Sequence, residues 1–288
     1  MPTDTKGYDL TIPVSDFILS YDDLGEGEMP VIFLHGYPFS KAMWKQQLEF
    51  LQSTHRVIAC DIRGFGKSTY EEGTLSMDLF ADDLLTFMYK LQIEKAIICG
   101  LSMGGYIALN AVQRFPNHFE ALILCDTQCI ADTAEVKEKR YKVIDDIKAN
   151  GVKEFNEKFI KSVFHKDTLT NNKELVESLR DVVFANSQPV IIAGLTALAE
   201  RSQTCSTLGD INIPTLILCG REDEVTPLAQ SEFMHQSIER SILHVIEKAG
   251  HVSNLEHPDE FNEQLLGFLT TYNTIESGLF PLQQKSIK

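Results

Sequence analysis

The chain has 288 residues, of which 26 are Lys or Arg and 41 are Asp or Glu, so its formal net charge at pH 7 is −15. This acidic balance excludes a nucleic-acid-binding protein that relies on bulk positive charge. Apolar residues make up 43 % and charged residues 23 % of the chain, a composition that excludes general disorder. A chain of this length is expected to form one large domain, or one domain with an inserted subdomain.

The sequence shows neither the apolar core of a secretion signal nor an apolar run of the roughly 20 residues that a membrane helix needs. The six cysteines are spread along the chain and form no CxxC pair. We therefore expect a cytoplasmic protein with reduced thiols and no membrane partner. Four cysteines end apolar runs, which favours buried thiols over metal ligands: Cys60, Cys99, Cys125 and Cys219.

The first predicted elements are two apolar stretches, residues 8–12 and 17–21, which Pro13 separates. They indicate an antiparallel pair of strands at a sheet edge. Four short apolar runs without polar alternation follow, which is typical of strands buried on both faces of a parallel sheet. These runs are residues 31–34, 57–60, 96–99 and 121–125, and segments with helical spacing lie between them at residues 43–51, 76–91 and 103–115.

The alternation of strands and helices stops between residues 127 and 207, where no convincing strand occurs. Four segments there have helical periodicity: residues 134–150, 152–164, 172–186 and 189–201. A helical segment of this size between two strands is typical of a lid over a binding site. Two further strands follow at residues 215–219 and 242–246. The predicted organisation is an α/β core (residues 1–126 and 208–272), a helical lid (127–207) and a loose polar tail (273–288).

The turn after the strand at residues 96–99 has the pattern G-x-S-x-G, formed by Gly100, Ser102 and Gly104. In a strand-turn-helix context this pattern is typical of a nucleophile elbow. The serine is held in a strained conformation in so sharp a turn, and side chains two residues to either side would collide. The turn also points the serine hydroxyl away from the sheet and aims the first amides of the next helix at the same space, where they can stabilise negative charge. The sequence therefore predicts Ser102 as a nucleophile.

A nucleophilic serine requires a base and a carboxylate that orients the base. His251 follows the last predicted strand and Asp223 follows the strand before it, which gives the order serine, aspartate, histidine. His257 precedes a proline at a helix start and is interpreted as a surface or capping residue. Asp223 is favoured as the acid because of its loop. The alternatives for the acid are Asp126, Glu222 and Glu224.

Acyl transfer also requires N–H donors for the oxyanion of the tetrahedral intermediate. The backbone N–H of Met103, directly after the serine, is the first expected donor. The second is the N–H of Tyr37, in the loop after the strand at residues 31–34. In that loop Gly36 permits the turn and Pro38 stiffens it.

The chain resembles the α/β-hydrolase family between residue 17 and about residue 269, in five motifs: residues 35–38, 61–68, 100–105, 220–227 and 249–256. Within the family it is similar to small bacterial carboxylesterases, 3-oxoadipate enol-lactonase-like enzymes and cofactor-free haloperoxidase-like or perhydrolase-like esterases. The resemblance implies an α/β-hydrolase fold: an eight-stranded, mostly parallel sheet with helices on both faces and a lid inserted after the sixth strand. Haloalkane dehalogenases and epoxide hydrolases are disfavoured, because they have aspartate where this chain has Ser102.

These residues predict a serine hydrolase that cleaves a small carboxylic ester or lactone through an acyl-enzyme on Ser102, with no metal and no organic cofactor. Val225 and Val252 adjoin the catalytic loops and are candidate substrate-binding residues. The acidic surface mildly disfavours acidic substrates. The alternatives are a non-catalytic ligand-binding protein of the same fold, or a perhydrolase or C–C bond hydrolase with the same triad. Both a monomer and a homodimer are compatible with the sequence.

Overall fold

The computed structural model describes residues 6–276, in which eight strands form one sheet in the order β1-β2-β4-β3-β5-β6-β7-β8. Only the β1–β2 and β2–β4 pairs are antiparallel, and all other neighbours are parallel. The strands are β1 (Gly7–Val14), β2 (Phe17–Leu24), β3 (Val31–Leu34), β4 (Val57–Cys60), β5 (Ala96–Leu101), β6 (Phe119–Cys125), β7 (Thr215–Gly220) and β8 (Ser241–Ile246). The predicted sheet and its antiparallel edge are confirmed.

Helices cover both faces of the sheet. Those of the α/β core are α1 (Lys45–Leu51), α2 (Met77–Lys90), α3 (Met103–Arg114), α9 (Leu228–Ser237), α10 (Ser253–Glu256) and α11 (Pro258–Glu276). Alternate side chains of each central strand enter two separate apolar clusters, as Ile32 and Phe33 illustrate. The cluster around Ile32 includes residues of α2, α3 and α9, whereas the cluster around Phe33 includes residues of α1 and α11. This two-sided burial explains why the strands carry no polar alternation.

The carboxyl ends of the parallel strands lie at one edge of the sheet, so the loops that follow them meet there. In open α/β sheets this edge is where ligands bind. The loops after β3, β5, β7 and β8 carry the predicted functional residues. The fold therefore gathers at one edge residues that are far apart in the sequence.

Five helices lie between β6 and β7, and we call this region, residues 127–207, the helical insert. Its helices are α4 (Ala134–Asn150), α5 (Lys153–Val163), α6 (Lys166–Asn171), α7 (Lys173–Phe184) and α8 (Gln188–Glu200). The Thr133 hydroxyl accepts a hydrogen bond from the N–H of Val136 at the start of α4, and Gly151, with a φ of 83°, ends that helix. The sequence predicts four of the five helices; α6 is too short for periodicity to reveal.

A disulfide joins Cys129 to Cys205, so the prediction that all thiols are reduced is wrong for this pair. The two cysteines are 76 residues apart in the chain and lie at opposite ends of the helical insert. They meet because the insert leaves and rejoins the sheet at neighbouring strands, β6 and β7. The other four cysteines are free and buried, as expected.

Two further predictions concern the polar C-terminal tail and the lack of a membrane-spanning helix. The predicted tail starts at residue 273, whereas α11 continues to Glu276, and residues 277–288 lie outside the described residues. In residues 6–276 no single helix is long and apolar enough to cross a membrane. Only α7 and α8 taken together, across a 95° bend, reach the required length and composition.

Candidate active site

Ser102 lies in the turn between β5 and α3, with φ 55° and ψ −116°. This left-handed conformation is rare for a residue with a side chain and stores backbone strain. A Cβ atom at Gly100 would lie 2.2 Å from the carbonyl oxygen of Gly104, and one at Gly104 would lie 2.3 Å from that of Leu34. Only glycine fits at either position, because a side chain would collide within the turn at Gly100 and with the end of β3 at Gly104.

A continuous chain of hydrogen bonds links Ser102, His251 and Asp223. The Nε2 atom of His251 lies 2.8 Å from the Ser102 Oγ, and its Nδ1 atom lies 2.8 Å from an oxygen of Asp223. Asp223 also accepts hydrogen bonds from the N–H groups of Val225 and Thr226 and from the Thr226 hydroxyl, at 2.7–2.9 Å. His251 is only 1 % exposed and Asp223 only 4 %. The structure thus brings the three predicted residues together and fixes the carboxylate.

The electrostatics of the pair formed by Asp223 and His251 favour an imidazolium beside a carboxylate. Burial opposes charge on His251, but the charge of Asp223 and its hydrogen bond raise the pKa of the imidazole above its usual value. Burial likewise opposes charge on Asp223, but His251 and the donors of Thr226 bring the pKa of that carboxyl below its usual range. This arrangement stabilises a histidine that has taken up a proton.

Asp126, an alternative for the acid in the sequence, lies at the end of β6 and is fully buried. Its oxygens accept hydrogen bonds from the Gly220 N–H at 2.8 Å and the Ser253 hydroxyl at 2.5 Å, whereas the His251 ring bonds to Asp223. Burial, together with the charge of Asp223, raises the pKa of Asp126 to about 8. Asp126 is therefore neutral near pH 7. The other two alternatives, Glu222 and Glu224, are exposed.

The loop after β3 lies against the elbow. A Cβ atom at Gly36 would be 3.1 Å from the Cβ of Ser102. Within residues 6–276, neither the Tyr37 N–H nor the Met103 N–H donates to a protein acceptor. The Met103 amide is one of the unpaired donors that every helix N-terminus has, and here it belongs to α3. Both amides therefore lack a protein acceptor, which is what the predicted oxyanion donors require.

His35 supports this loop, although in the sequence it has no feature that separates it from ordinary polar histidines. It is fully buried, and burial lowers its pKa to about 4, so the ring is neutral. Its Nδ1–H donates to the Gly36 carbonyl at 2.8 Å, and its Nε2 accepts from the Ile62 N–H at 2.9 Å. The ring therefore connects the loop after β3 to the loop after β4.

The helical insert covers the loop of Tyr37 with aromatic side chains. The Tyr37 ring contacts Phe65 of the core and Phe155 and Phe159 of α5, with ring centroids 5.8–6.4 Å apart. Its hydroxyl donates to the carbonyl of Ile191 in α8 at 2.9 Å. The wall beside the elbow is thus apolar and aromatic on the side of the insert, an arrangement that periodicity alone did not reveal.

Val225 and Val252, the two candidate substrate-binding residues, occupy different environments. Val225 is 37 % exposed in the loop of Asp223, whereas Val252 is fully buried in the apolar cluster on the α1 and α11 face. Both adjoin loops that carry residues of the predicted triad.

Asp223 and two neighbouring side chains have the spacing of a metal site. Ligand atoms of Asp126, Cys219 and Asp223 lie within 4.8 Å of one another. Hydrogen-bond donors already occupy both carboxylates. Burial raises the pKa of the Cys219 thiol, which keeps it protonated and a poor metal ligand. The chemistry of the cluster fits hydrogen bonding between loops better than metal binding.

Comparison with known proteins identifies the family of the chain. A family model described as alpha/beta hydrolase fold matches residues 29–258. The 3-oxoadipate enol-lactonase 2 of Acinetobacter baylyi is 29 % identical, with 91 % of this chain and 97 % of the relative covered. A 2-hydroxy-6-oxononadienedioate/2-hydroxy-6-oxononatrienedioate hydrolase of Pseudomonas putida is 31 % identical, with 88 % and 93 % covered.

A solved structure gives the same result. The thermophilic esterase from Thermogutta terrifontis, determined with malate bound, superposes with a TM-score of 0.87 at 32 % identity, covering 91 % of this chain and 98 % of the esterase. These relatives are hydrolases with different substrates. Because the family match spans most of the chain and the sheet has the implied eight, mostly parallel strands, the chain belongs to the α/β-hydrolase family.

Proposed function

We propose that the protein is a serine hydrolase that cleaves a small carboxylic ester or lactone through an acyl-enzyme on Ser102. The observation that carries the proposal is the hydrogen-bond chain from Ser102 through the buried ring of His251 to Asp223. A serine hydroxyl is a poor nucleophile at neutral pH, and this arrangement supplies the base that activates it. The chemistry requires neither a metal nor an organic cofactor.

In the proposed first step the Ser102 oxygen attacks the ester carbonyl while His251 Nε2 takes the hydroxyl proton. The amides of Tyr37 and Met103 stabilise the oxyanion, and the negative charge of Asp223 stabilises the imidazolium. His251 then returns the proton to the leaving alcohol as the C–O bond breaks. In the second step His251 activates water, which attacks the acyl-enzyme and releases the acid and the free serine.

The helical insert is proposed to act as a lid over the binding site. Its aromatic residues beside Tyr37 favour apolar acyl or alcohol groups, because aromatic side chains contribute large apolar contact areas. This fits small uncharged or weakly charged esters and lactones. The enol-lactonase and esterase relatives support the same substrate class.

Labelling by a fluorophosphonate probe tests the proposal. We expect the folded protein to form one covalent adduct at Ser102, identified by peptide mass spectrometry, and to hydrolyse p-nitrophenyl esters of short acids. Ser102→Ala should lose the adduct and reduce kcat by about 10⁴-fold or more. A folded protein without the adduct would instead support a non-catalytic ligand-binding protein. Full esterase activity in Ser102→Ala would also exclude the proposed nucleophile.

C–C bond hydrolysis is a second candidate, because the relative from Pseudomonas putida acts on 2-hydroxy-6-oxononadienedioate and the trienedioate. The same serine, histidine and aspartate would serve that reaction. Parallel assays with p-nitrophenyl esters, lactones and the dienedioate separate the two candidates by kcat/KM. Addition of hydrogen peroxide to the ester assay tests for perhydrolase activity, in which peroxide replaces water at the acyl-enzyme.

The cytoplasm stays the predicted location, and monomer or homodimer stays the predicted assembly. The Cys129–Cys205 disulfide bears on the location, because the cytosol keeps most thiols reduced. Cells lysed in alkylating reagent should give six alkylated cysteines if the thiols are reduced and four if the disulfide has formed. Size-exclusion chromatography with light scattering measures the assembly.

A further inference from the structure

Glu256, at the end of α10, holds together two segments that are distant in the sequence. One carboxylate oxygen accepts a hydrogen bond from the Gly250 N–H at 2.6 Å. The other accepts from the His165 N–H at 2.8 Å and from the Thr168 hydroxyl at 2.6 Å. Gly250 directly precedes His251, whereas His165 and Thr168 belong to the helical insert. The side chain thus connects the insert to the loop of the candidate catalytic histidine.

The two segments also touch directly, backbone against backbone. The N–H of His251 donates to the carbonyl of Val163 at 2.8 Å. A Cβ atom at Gly250 would lie 2.8 Å from the His165 nitrogen and 2.8 Å from the Val163 oxygen. The close approach leaves no room for a side chain at this position. The insert therefore packs against the histidine loop as well as against the loop of Tyr37.

The residue type at position 256 matches its three partners, all of which donate. A carboxylate is an acceptor at both oxygens and can accept all three hydrogen bonds at once. Glutamine has the same shape but replaces one oxygen by an NH₂ group, which would face a backbone N–H or a hydroxyl donor. Burial raises the pKa of Glu256, and the three donors act in the opposite direction, in favour of the charged form.

We propose that Glu256 is a positioning residue that sets the backbone of His251 relative to Ser102 by fastening Gly250 to the helical insert. The proposal rests on the proposed function, because it concerns the base of that reaction. Asp223 orients the imidazole through its Nδ1 atom, and Glu256 fixes the backbone from which the ring extends. On this view the insert is part of the frame that aligns the catalytic residues, in addition to its proposed role as a lid.

The decisive variant is Glu256→Gln, which keeps the size of the side chain. We expect kcat to fall about 10- to 100-fold, since small displacements of a catalytic group have effects of this size. We expect KM to change less than about threefold, because no substrate contact is lost. The rate of fluorophosphonate labelling at Ser102 should fall by the same factor as kcat, because labelling also depends on activation by His251.

A second variant and a control complete the test. Thr168→Val removes one donor of the same carboxylate and keeps the side-chain shape, so we expect a decrease of about threefold in kcat and in labelling rate. Glu263→Gln, an exposed position on α11, should leave both rates unchanged. Thermal unfolding and circular dichroism verify that each variant is folded. If Glu256→Gln does not fold, Thr168→Val decides the question by the same two rates.

The outcomes separate this inference from the proposed function. Suppose that the wild type is labelled at Ser102 and that Glu256→Gln and Thr168→Val have the same kcat and labelling rate as the wild type. This result would overturn the role of Glu256 and leave the proposed function intact. Reduced stability with unchanged kcat and labelling rate would show that Glu256 has a purely structural role, and this result would also overturn the proposed positioning role. A wild type that is not labelled at Ser102 would overturn the proposed function.

Discussion

The Nε2 atom of His251 lies 2.8 Å from the Oγ atom of Ser102, although 149 positions separate the two residues in the chain. This distance allows direct proton transfer from the hydroxyl to the imidazole. Each residue is held by its own segment: Ser102 by the turn between β5 and α3, and His251 by the loop after β8. Their alignment therefore depends on the sheet and on what packs against the two segments.

The first prediction separates Asp223 from Asp126 as the acid. Asp223→Asn should reduce kcat by about 10⁴-fold, because the amide cannot stabilise the imidazolium and favours the wrong tautomer. Asp126→Asn should keep kcat within about tenfold of the wild type, since Asp126 is already neutral and bonds to Gly220 and Ser253. Steady-state kinetics on a p-nitrophenyl ester measures both effects. The reverse order of losses would transfer the role to Asp126.

The second prediction concerns the pH dependence of activity. His251 must be neutral to accept the serine proton, and its pKa is raised above the usual 6.5, because the charge of Asp223 and its hydrogen bond outweigh the effect of burial. Activity should therefore fall as the pH decreases through a value above 6.5. In Asp223→Asn the acidic limb of the remaining kcat/KM should move to lower pH. If the acidic limbs of the wild type and of Asp223→Asn coincide, Asp223 does not act on His251.

The third prediction concerns the pH dependence of stability. The pKa of Asp126 is about 8 in the folded protein, against an ordinary value of 3.8, so between these values the folded state binds more protons than the unfolded state. The free energy of unfolding should therefore decrease as the pH rises through this window. Asparagine does not titrate, so Asp126→Asn should flatten this slope. Urea unfolding of both proteins at pH 5 to 9 makes the comparison, and equal slopes would contradict it.

The fourth prediction concerns contact between the helical insert and the loop of Tyr37. A Cβ atom at Gly194 would lie 2.5 Å from Cε2 of Tyr37 and 3.1 Å from Cζ of Phe65. Gly194→Ala should therefore displace the Tyr37 ring and reduce kcat/KM by about tenfold or more. Gly209→Ala is the matched control, because a Cβ atom there meets nothing within 4 Å.

Tyr37→Phe tests the hydrogen bond between the Tyr37 hydroxyl and the helical insert without displacing the ring. It removes the hydrogen bond from the phenol to the Ile191 carbonyl, which lies within α8 and keeps its helical hydrogen bond, so the free energy of unfolding should fall by about 0.5–1.5 kcal/mol. The backbone N–H of residue 37 remains, so kcat should stay within about threefold of the wild type. A loss as large as that of Gly194→Ala would assign a direct role to the phenol.

The fifth prediction concerns the disulfide at the ends of the helical insert. The double variant Cys129→Ser, Cys205→Ser should lower the free energy of unfolding by about 2–4 kcal/mol, because the bond restricts a long loop in the unfolded chain. Dithiothreitol should destabilise the wild type by a similar amount and leave the double variant unchanged. Urea unfolding measures both. Equal midpoints for all four samples would show that the bond does not form in solution.

Patterns that depend on neighbouring residues could be predicted from the sequence. The central strands were predicted because a strand buried on both faces must be apolar throughout. The elbow was predicted because the pattern of Gly100, Ser102 and Gly104 is local, although only the collision avoided at Gly100 lies within the turn, and the one avoided at Gly104 is with Leu34 of β3. Ser102, Asp223 and His251 each follow a predicted parallel strand, which was sufficient to place them at one edge of the sheet. Covalent geometry and side-chain periodicity act over short distances, so they leave a record in short stretches of sequence.

Other features depended on the packing of distant segments. Asp126 and Asp223 both follow strands that end at the same edge, and only the direction of their side chains decides which one reaches His251. The Cys129–Cys205 bond and the contacts of Glu256 with His165 and Thr168 likewise join segments 76 or more positions apart. Such proximity comes from how the helical insert rejoins the sheet. No local periodicity encodes it, so only the tertiary structure decided it.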